Sequence, residues 1–166
     1  RTPSKTSEGE YVKTQVVDSM DSLYDALGDY ALYIEDFIED MKKVLFLCTG
    51  NSARSIISEC LLNQLGVNRY QAYSAGSKPT GEVNPYSIKV LEKNNIYYEK
   101  VSSKSWDNFS DTKFNTIVTV CNNVANETCP VYPGSPNKLH WDLEDPASFN
   151  GNDEEKLNEF QRIFDQ

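Results

Sequence analysis

The sequence predicts an α/β fold of three layers: a central four-stranded parallel sheet with helices on both faces, preceded by an N-terminal helix. Two apolar runs, "VLFLC" (44–48) and "NTIVTVC" (115–121), are continuous rather than alternating, as expected of strands buried on both faces of a parallel sheet. Stretches of helical spacing separate the predicted strands, which is the order of an α/β layer fold. Both runs also end in a cysteine, at the carboxyl ends of strands, where such folds gather reactive groups.

The first predicted element is a long helix over residues 10–41. Val16, Met20, Leu23, Leu27, Tyr30, Ile34, Phe37 and Met41 recur at alternating spacings of four and three, an apolar seam interrupted by Gly28 and flanked by acids. Residues 1–40 are therefore expected to be an acidic amphipathic helical segment. It would pack on its own domain, on a second copy, or serve as the tail of an upstream domain. The polar start "RTPSKTSEGE" has no apolar core of a secretory signal. Beginning with Arg rather than Met, the chain is expected to be a fragment or a processed product.

A domain over 41–166 follows. Two lysines lead into the strand that ends at Cys48, and "TGNSARS" is a tight loop. "SIISECLLNQLG" has helical spacing and a Gly66 stop. "YQAYSAG" is the second strand. "NPYSIKVLEKNNI" is the second helix, with Asn84 as N-cap and Pro85 in its first turn. The run 115–121 is the third strand, "NKLHW" a short fourth, and "DEEKLNEFQRIF" a closing helix capped by Asn152 or Asp153.

Charge narrows the functional classes. The net charge of −9 is concentrated in residues 1–40, with three basic and ten acidic side chains; residues 41–166 hold thirteen and fifteen. That balance argues against broad nucleic-acid binding, and no apolar run reaches the ~20 residues of a membrane span. The four cysteines, Cys48, Cys60, Cys121 and Cys129, are expected to be thiols in a reducing, cytoplasmic setting rather than a disulfide framework. Cys60, on the apolar face of a helix, reads as packing. Cys121, Cys129 and His140 lack a paired Cys-x2-Cys unit, so no metal site is expected. His140 and Trp141 read as a packed strand end.

"CTGNSARS" (48–55) carries the chemistry. A loop leaving a strand and entering a helix can turn successive N–H groups toward one point, where the helix dipole adds positive charge. Gly50 is expected to supply a positive-φ position, with Asn51 able to tolerate or pin one, while Ser52 and Ala53 keep the centre open. Thr49 completes the loop. Arg54 offers a planar fork for two oxygens of a tetrahedral oxyanion. These surroundings should lower the Cys48 pKa, and Ser55 could hold the resulting thiolate by a hydroxyl hydrogen bond.

The stretch "VLFLCTGNSARS" resembles the low-molecular-weight protein tyrosine phosphatase superfamily, whose signature is Cys-x5-Arg-Ser/Thr after the first strand. Within it the chain is most similar to the arsenate reductases, over about residues 42–165. "YSAGSKPTGEVNP", "SKSW", "VTVCNNVANETCP" and "HWDLEDPAS" share in the match. The fold implied is flavodoxin-like. The activity implied is thiol-dependent reduction of arsenate to arsenite: Cys48 attacks arsenate held by the loop and Arg54, Cys121 then attacks Cys48, and Cys129 can move the disulfide to Cys121–Cys129. Asp145, before a proline, would assist departure of an arsenate hydroxyl. The implied reductant is thioredoxin, or glutathione with glutaredoxin, and no tightly bound cofactor is expected.

Two departures qualify the match. Seven residues (122–128) separate Cys121 from Cys129, against six in the thioredoxin-linked group. Ala53 stands where many relatives carry another cysteine. The resemblance also places Asn51, Glu59 and Ser74 at positions that bind potassium in some of these enzymes. The alternatives are a low-molecular-weight phosphatase acting on phosphotyrosine and an oxyanion-sensing or interaction module using the N-terminal helix. Ala147 and Ser148, after the Asp-Pro pair where phosphatases place aromatic residues, favour the small oxyanion.

Overall fold

The computed structural model describes residues 41–127 and 130–166. The expected helix within residues 1–40 lies outside the described residues, as does Cys129. Four parallel strands form one sheet in the order β2-β1-β3-β4: β1 (Lys42–Cys48), β2 (Tyr70–Gly76), β3 (Thr116–Thr119) and β4 (Asn137–His140). Four helices accompany them: α1 (Arg54–Leu65), α2 (Pro85–Lys93), the short α3 (Asn122–Ala125) and α4 (Asp153–Phe164).

The continuous apolar run predicts burial correctly: every residue of β1 from Val44 to Cys48 is buried. Leu45, Leu47, Ala75, Val120 and Val124 are buried with it in a core that Phe114, Tyr132 and Leu143 extend. A second core joins α1, α2 and α4 through Ala53, Ile57, Cys60, Val90, Leu91 and Phe160. Cys60 is packing, as expected.

Helix ends follow their sequence signals. Asn84 Oδ1 accepts from Tyr86 N–H at 2.9 Å, with Pro85 in the first turn of α2. Asn152, not Asp153, caps α4, its Oδ1 accepting from Glu155 N–H at 2.9 Å. α2 stops at Lys93, short of Ile96, because Asn95 takes a positive φ of 56°.

The chain goes from β1 to β2 on one side and returns to β3 on the other. Topological reversal therefore falls at the carboxyl ends of β1 and β3, the place where open α/β sheets form a crevice. Cys48 pairs with Gly76 in register and Leu47 with Thr119, so residue 121 lies just beyond the level of Cys48. The third strand is shorter than its apolar run. Val120 still donates to Leu47 O at 2.9 Å, but Cys121 has left the ladder and occupies the N-cap position of α3.

Candidate active site

Residues 49–53 join β1 to α1, and their shape is imposed from outside. The carbonyls of Thr49, Gly50 and Ser52 accept from the N–H groups of Lys78 (2.9 Å), Thr80 (3.0 Å) and Asn84 (3.0 Å), and Cys48 O accepts from Ser77 N–H at 3.3 Å. Ser103 Oγ adds a bond to Gly50 O at 3.1 Å, and Ser87 Oγ one to Ser52 O at 2.9 Å. With these oxygens drawn outward, the peptide planes turn N–H groups toward the concave side, and Gly50 N–H meets the Cys48 sulfur. The N-cap of α1, Ala53, offers no side-chain acceptor, and its first turn has no acid. The start of that helix is thus electropositive and open to an anion.

The left-handed residue is Asn51 (φ 48°), not Gly50. Asn51 is fully buried and holds both ends of its amide: Nδ2 donates to Ser55 Oγ at 2.9 Å and Oδ1 accepts from Lys104 N–H at 2.9 Å. Ser55 Oγ accepts from Asn51, which leaves its hydroxyl hydrogen to donate, while Cys48 is met by Gly50 N–H. Gly76, not singled out in the sequence, is required by close approach: a Cβ there would lie 2.4 Å from Thr49 O.

Arg54 leaves the first turn of α1 toward the acidic loop. Its Nη1 donates to Leu143 O at 3.0 Å, and Nη2 lies 3.7 Å from Asp145 Oδ2. Its Nε is buried with no hydrogen-bond partner among the described residues. An orphaned buried guanidinium N–H is costly unless something accepts from it, and an oxyanion in the adjoining loop is such an acceptor. Asp145 caps its own turn, Oδ1 accepting from Ala147 N–H at 3.0 Å, and is exposed enough (42%) to exchange protons with water. Arg162 of α4 pairs with Glu144 and Glu159 and so fixes this loop to the helix layer.

Cys48 and Cys121 are both buried free thiols, close enough that each shifts the pKa of the other. Thr49 Oγ1 stands 3.5 Å from the Cys121 sulfur, and Val124 N–H at the start of α3 also meets it. The pair titrates as a unit. Contact with Cys121, then burial, push the Cys48 pKa up, while Arg54 and Gly50 N–H oppose them. Contact with Cys48 pulls Cys121 down to about 5, with Thr49, Val124 N–H and Arg54 assisting against burial. The loop lowers the Cys48 pKa as expected through Arg54 and Gly50 N–H, but Cys121 and burial oppose it, so the two thiols share one titration.

α3 is tied down by side chains. His140 bridges Thr119 Oγ1 (Nδ1, 2.8 Å) and Asn122 Oδ1 (Nε2, 3.0 Å), and Ser77 Oγ donates to Glu127 Oε1 at 3.0 Å. His140 is an exposed strand end, not a packed one, because β4 is an edge strand with all four residues exposed.

Behind the loop, Glu59 and Ser74 are buried, with Ser74 Oγ donating to Glu59 Oε2 at 3.1 Å. Burial raises the Glu59 pKa, opposed first by the Lys104 ammonium and then by Ser74. Burial lowers that of Lys104, opposed by Glu59 and Cys60. The Lys104 Nζ donates to Ser102 O at 2.8 Å. At the three positions that the resemblance links to potassium, Asn51 Oδ1 accepts from Lys104 N–H and Glu59 Oε2 from Ser74 Oγ.

The family described as low molecular weight phosphotyrosine protein phosphatase matches residues 43–166. An arsenate reductase of Halalkalibacterium halodurans is 35% identical over 125 residues, covering 75% of this chain and 88% of that protein. A solved arsenate reductase in the oxidized state superposes with a TM-score of 0.62 at 26% identity, over 75% of this chain and 89% of the other. The Corynebacterium glutamicum thioredoxin-dependent arsenate reductase shares the fold, with a TM-score of 0.55 at 22% identity, over 89% of this chain and 74% of the other.

Proposed function

Because the chain belongs to the low molecular weight phosphotyrosine protein phosphatase family, we propose that it uses that family's loop to reduce arsenate to arsenite with thiol electrons. Arsenate sits in the loop 49–55, its oxygens taken by the inward N–H groups and by Arg54, whose unpartnered Nε gains an acceptor. The Cys48 proton passes to Cys121 as the Cys48 sulfur attacks arsenic. One arsenic–oxygen bond breaks, and Asp145 protonates the departing oxygen, which leaves as water.

Cys121 then gives its proton to an arsenic-bound oxygen and attacks the Cys48 sulfur. The sulfur–sulfur bond forms as the sulfur–arsenic bond breaks, and that electron pair stays on arsenic, which leaves as arsenite. Two thiols have been oxidised and As(V) reduced by two electrons. The Cys48–Cys121 disulfide is returned to thiols by an external dithiol such as thioredoxin, or by glutathione with glutaredoxin, directly or after exchange with Cys129.

The proximity of Cys48 and Cys121 at the carboxyl ends of neighbouring strands carries this reading. Ester hydrolysis needs the first sulfur, the arginine and an acid, but no second sulfur. The test is mass spectrometry of the reduced protein after one arsenate turnover without reductant, alongside arsenite release. A Cys48–Cys121 or Cys121–Cys129 linkage with one arsenite released is the expected result. Brisk p-nitrophenyl phosphate hydrolysis that survives Cys121→Ser, with no arsenite from the unaltered protein, would reverse the reading toward the phosphatase.

A further inference from the structure

Cys121 stands between two residues that one side chain joins. Thr119 ends β3 and Asn122 begins α3, and the ring of His140, the chain's single histidine, reaches both. Its Nδ1 lies 2.8 Å from Thr119 Oγ1 and its Nε2 3.0 Å from Asn122 Oδ1. A carbonyl oxygen accepts, so Nε2 carries the hydrogen and Nδ1 of the neutral ring accepts from the threonine hydroxyl. Main chain already secures the strand side of Cys121. His140 pairs with Thr119 across the ladder, Trp141 N–H donates to Thr119 O at 2.8 Å, and Val120 N–H reaches Leu47 O. What the ring adds is the helix side. Four residues cannot sustain a helix by their own hydrogen bonds. α3 relies on buried Val124, on the Ser77–Glu127 bond beyond its end, and on His140 at its start. Of these three, His140 acts next to Cys121, whose sulfur lies 3.5 Å from Thr49 Oγ1.

We propose that His140 is the positioning residue for Cys121: by spanning Thr119 and Asn122 it holds the first turn of α3, so that the second sulfur waits at Thr49, beside Cys48. It acts only through the backbone on either side of Cys121. With the ring removed, the start of α3 frays and Cys121 spends part of its time away from the loop. The oxyanion cradle keeps its shape, because residues 77–84 set it. Anion capture and the first attack by Cys48 therefore persist. The step that slows is the attack of Cys121 on the Cys48 sulfur, in which the sulfur–sulfur bond forms, the sulfur–arsenic bond breaks and arsenic keeps the electron pair. That consequence rests on the proposed arsenate reduction, whereas the placement of Cys121 by His140 does not.

The experiment compares His140→Ala and Asn122→Ala, singly and together, with the unaltered reduced protein. Arsenite release at saturating arsenate is expected to fall about three- to tenfold in either single variant, the worth of roughly one hydrogen bond, with inorganic phosphate affinity unchanged. The double variant is expected to be no slower than the single ones, because both remove the same contact. Iodoacetamide labelling of Cys121, read by peptide mass spectrometry, should quicken by a similar factor in each variant, with buried Cys60 as the unmoved control. Unchanged arsenite release or unchanged Cys121 labelling overturns the proposal. So do losses that add in the double variant, or that fall equally on phosphate affinity. Asn122→Ala carries the comparison if His140→Ala does not fold. An unaltered protein that binds phosphate but yields no arsenite refutes the reductase reading instead, and Cys121 labelling then decides alone whether His140 places that sulfur.

Discussion

Cys48 and Cys121 lie close enough that each shifts the other's pKa, with Arg54 and two backbone N–H groups favouring a negative charge on the pair. Neither sulfur can be understood alone. The first proton leaves readily, the second with difficulty, and whichever sulfur becomes electrophilic has its partner already in contact.

Thiolate absorbance near the ultraviolet edge should therefore titrate in two well-separated steps, one at about 5 and one above the ordinary 9.0. In Cys121→Ser the largest cause raising Cys48 is removed, while burial on one side and Arg54 and Gly50 N–H on the other remain. Cys48 should then titrate lower than in the unaltered protein, read by the pH dependence of iodoacetamide alkylation. A Cys48 whose titration does not move in that variant contradicts the coupling of the two thiols.

The same pair sets a pH dependence of stability. Between about 5 and 9.0 the folded pair holds one proton and the unfolded pair two, so stability rises with pH. Above 9.0 the unfolded chain loses both protons while the folded pair keeps one, and the sign reverses. Denaturant midpoints of the reduced protein, compared with Cys48→Ser/Cys121→Ser, should differ by a curve that peaks near pH 9. A flat difference excludes the shared proton.

Arg54→Lys keeps the charge but loses the planar fork. Arsenate turnover, as kcat/KM, should fall about 10²–10³-fold, with the midpoint for unfolding little changed or raised, since the orphaned Nε disappears. Asp145→Asn should separate from it, lowering kcat by about 10²–10⁴-fold while phosphate affinity holds. Equal loss of affinity in both variants would mean that Asp145 serves binding rather than proton transfer.

Gly76→Ala places a methyl group where Thr49 O stands, at 2.4 Å. Backbone must shift, at a cost of about 1–3 kcal/mol, and phosphate affinity should drop with stability. Unchanged affinity would show that the loop tolerates displacement at Thr49.

Much of this architecture was written in local pattern. The apolar run 44–48 fixes a strand buried on both faces, Asn84-Pro85 starts a helix, and Cys-x5-Arg after a strand marks the loop. What escaped was set by contacts distant in sequence. Either Gly50 or Asn51 tolerates positive φ, and the choice falls to Asn51 because its side chain is clamped by Ser55 and Lys104. Gly76 looks like any small strand-end residue until Thr49 O lies against it. α3, four residues long, is too short to show a period. Lys104 sits in a polar stretch with nothing local to signal that its backbone N–H grips Asn51.

The loop around Cys48 is a main-chain mould set by another main-chain segment, residues 77–84, through their N–H groups. Grip and reaction are consequently separable traits. Replacing residue 121 changes what becomes of a captured anion without reshaping the hand that captures it, whereas an insertion between 77 and 84 would spoil capture while leaving every reactive atom in the chain.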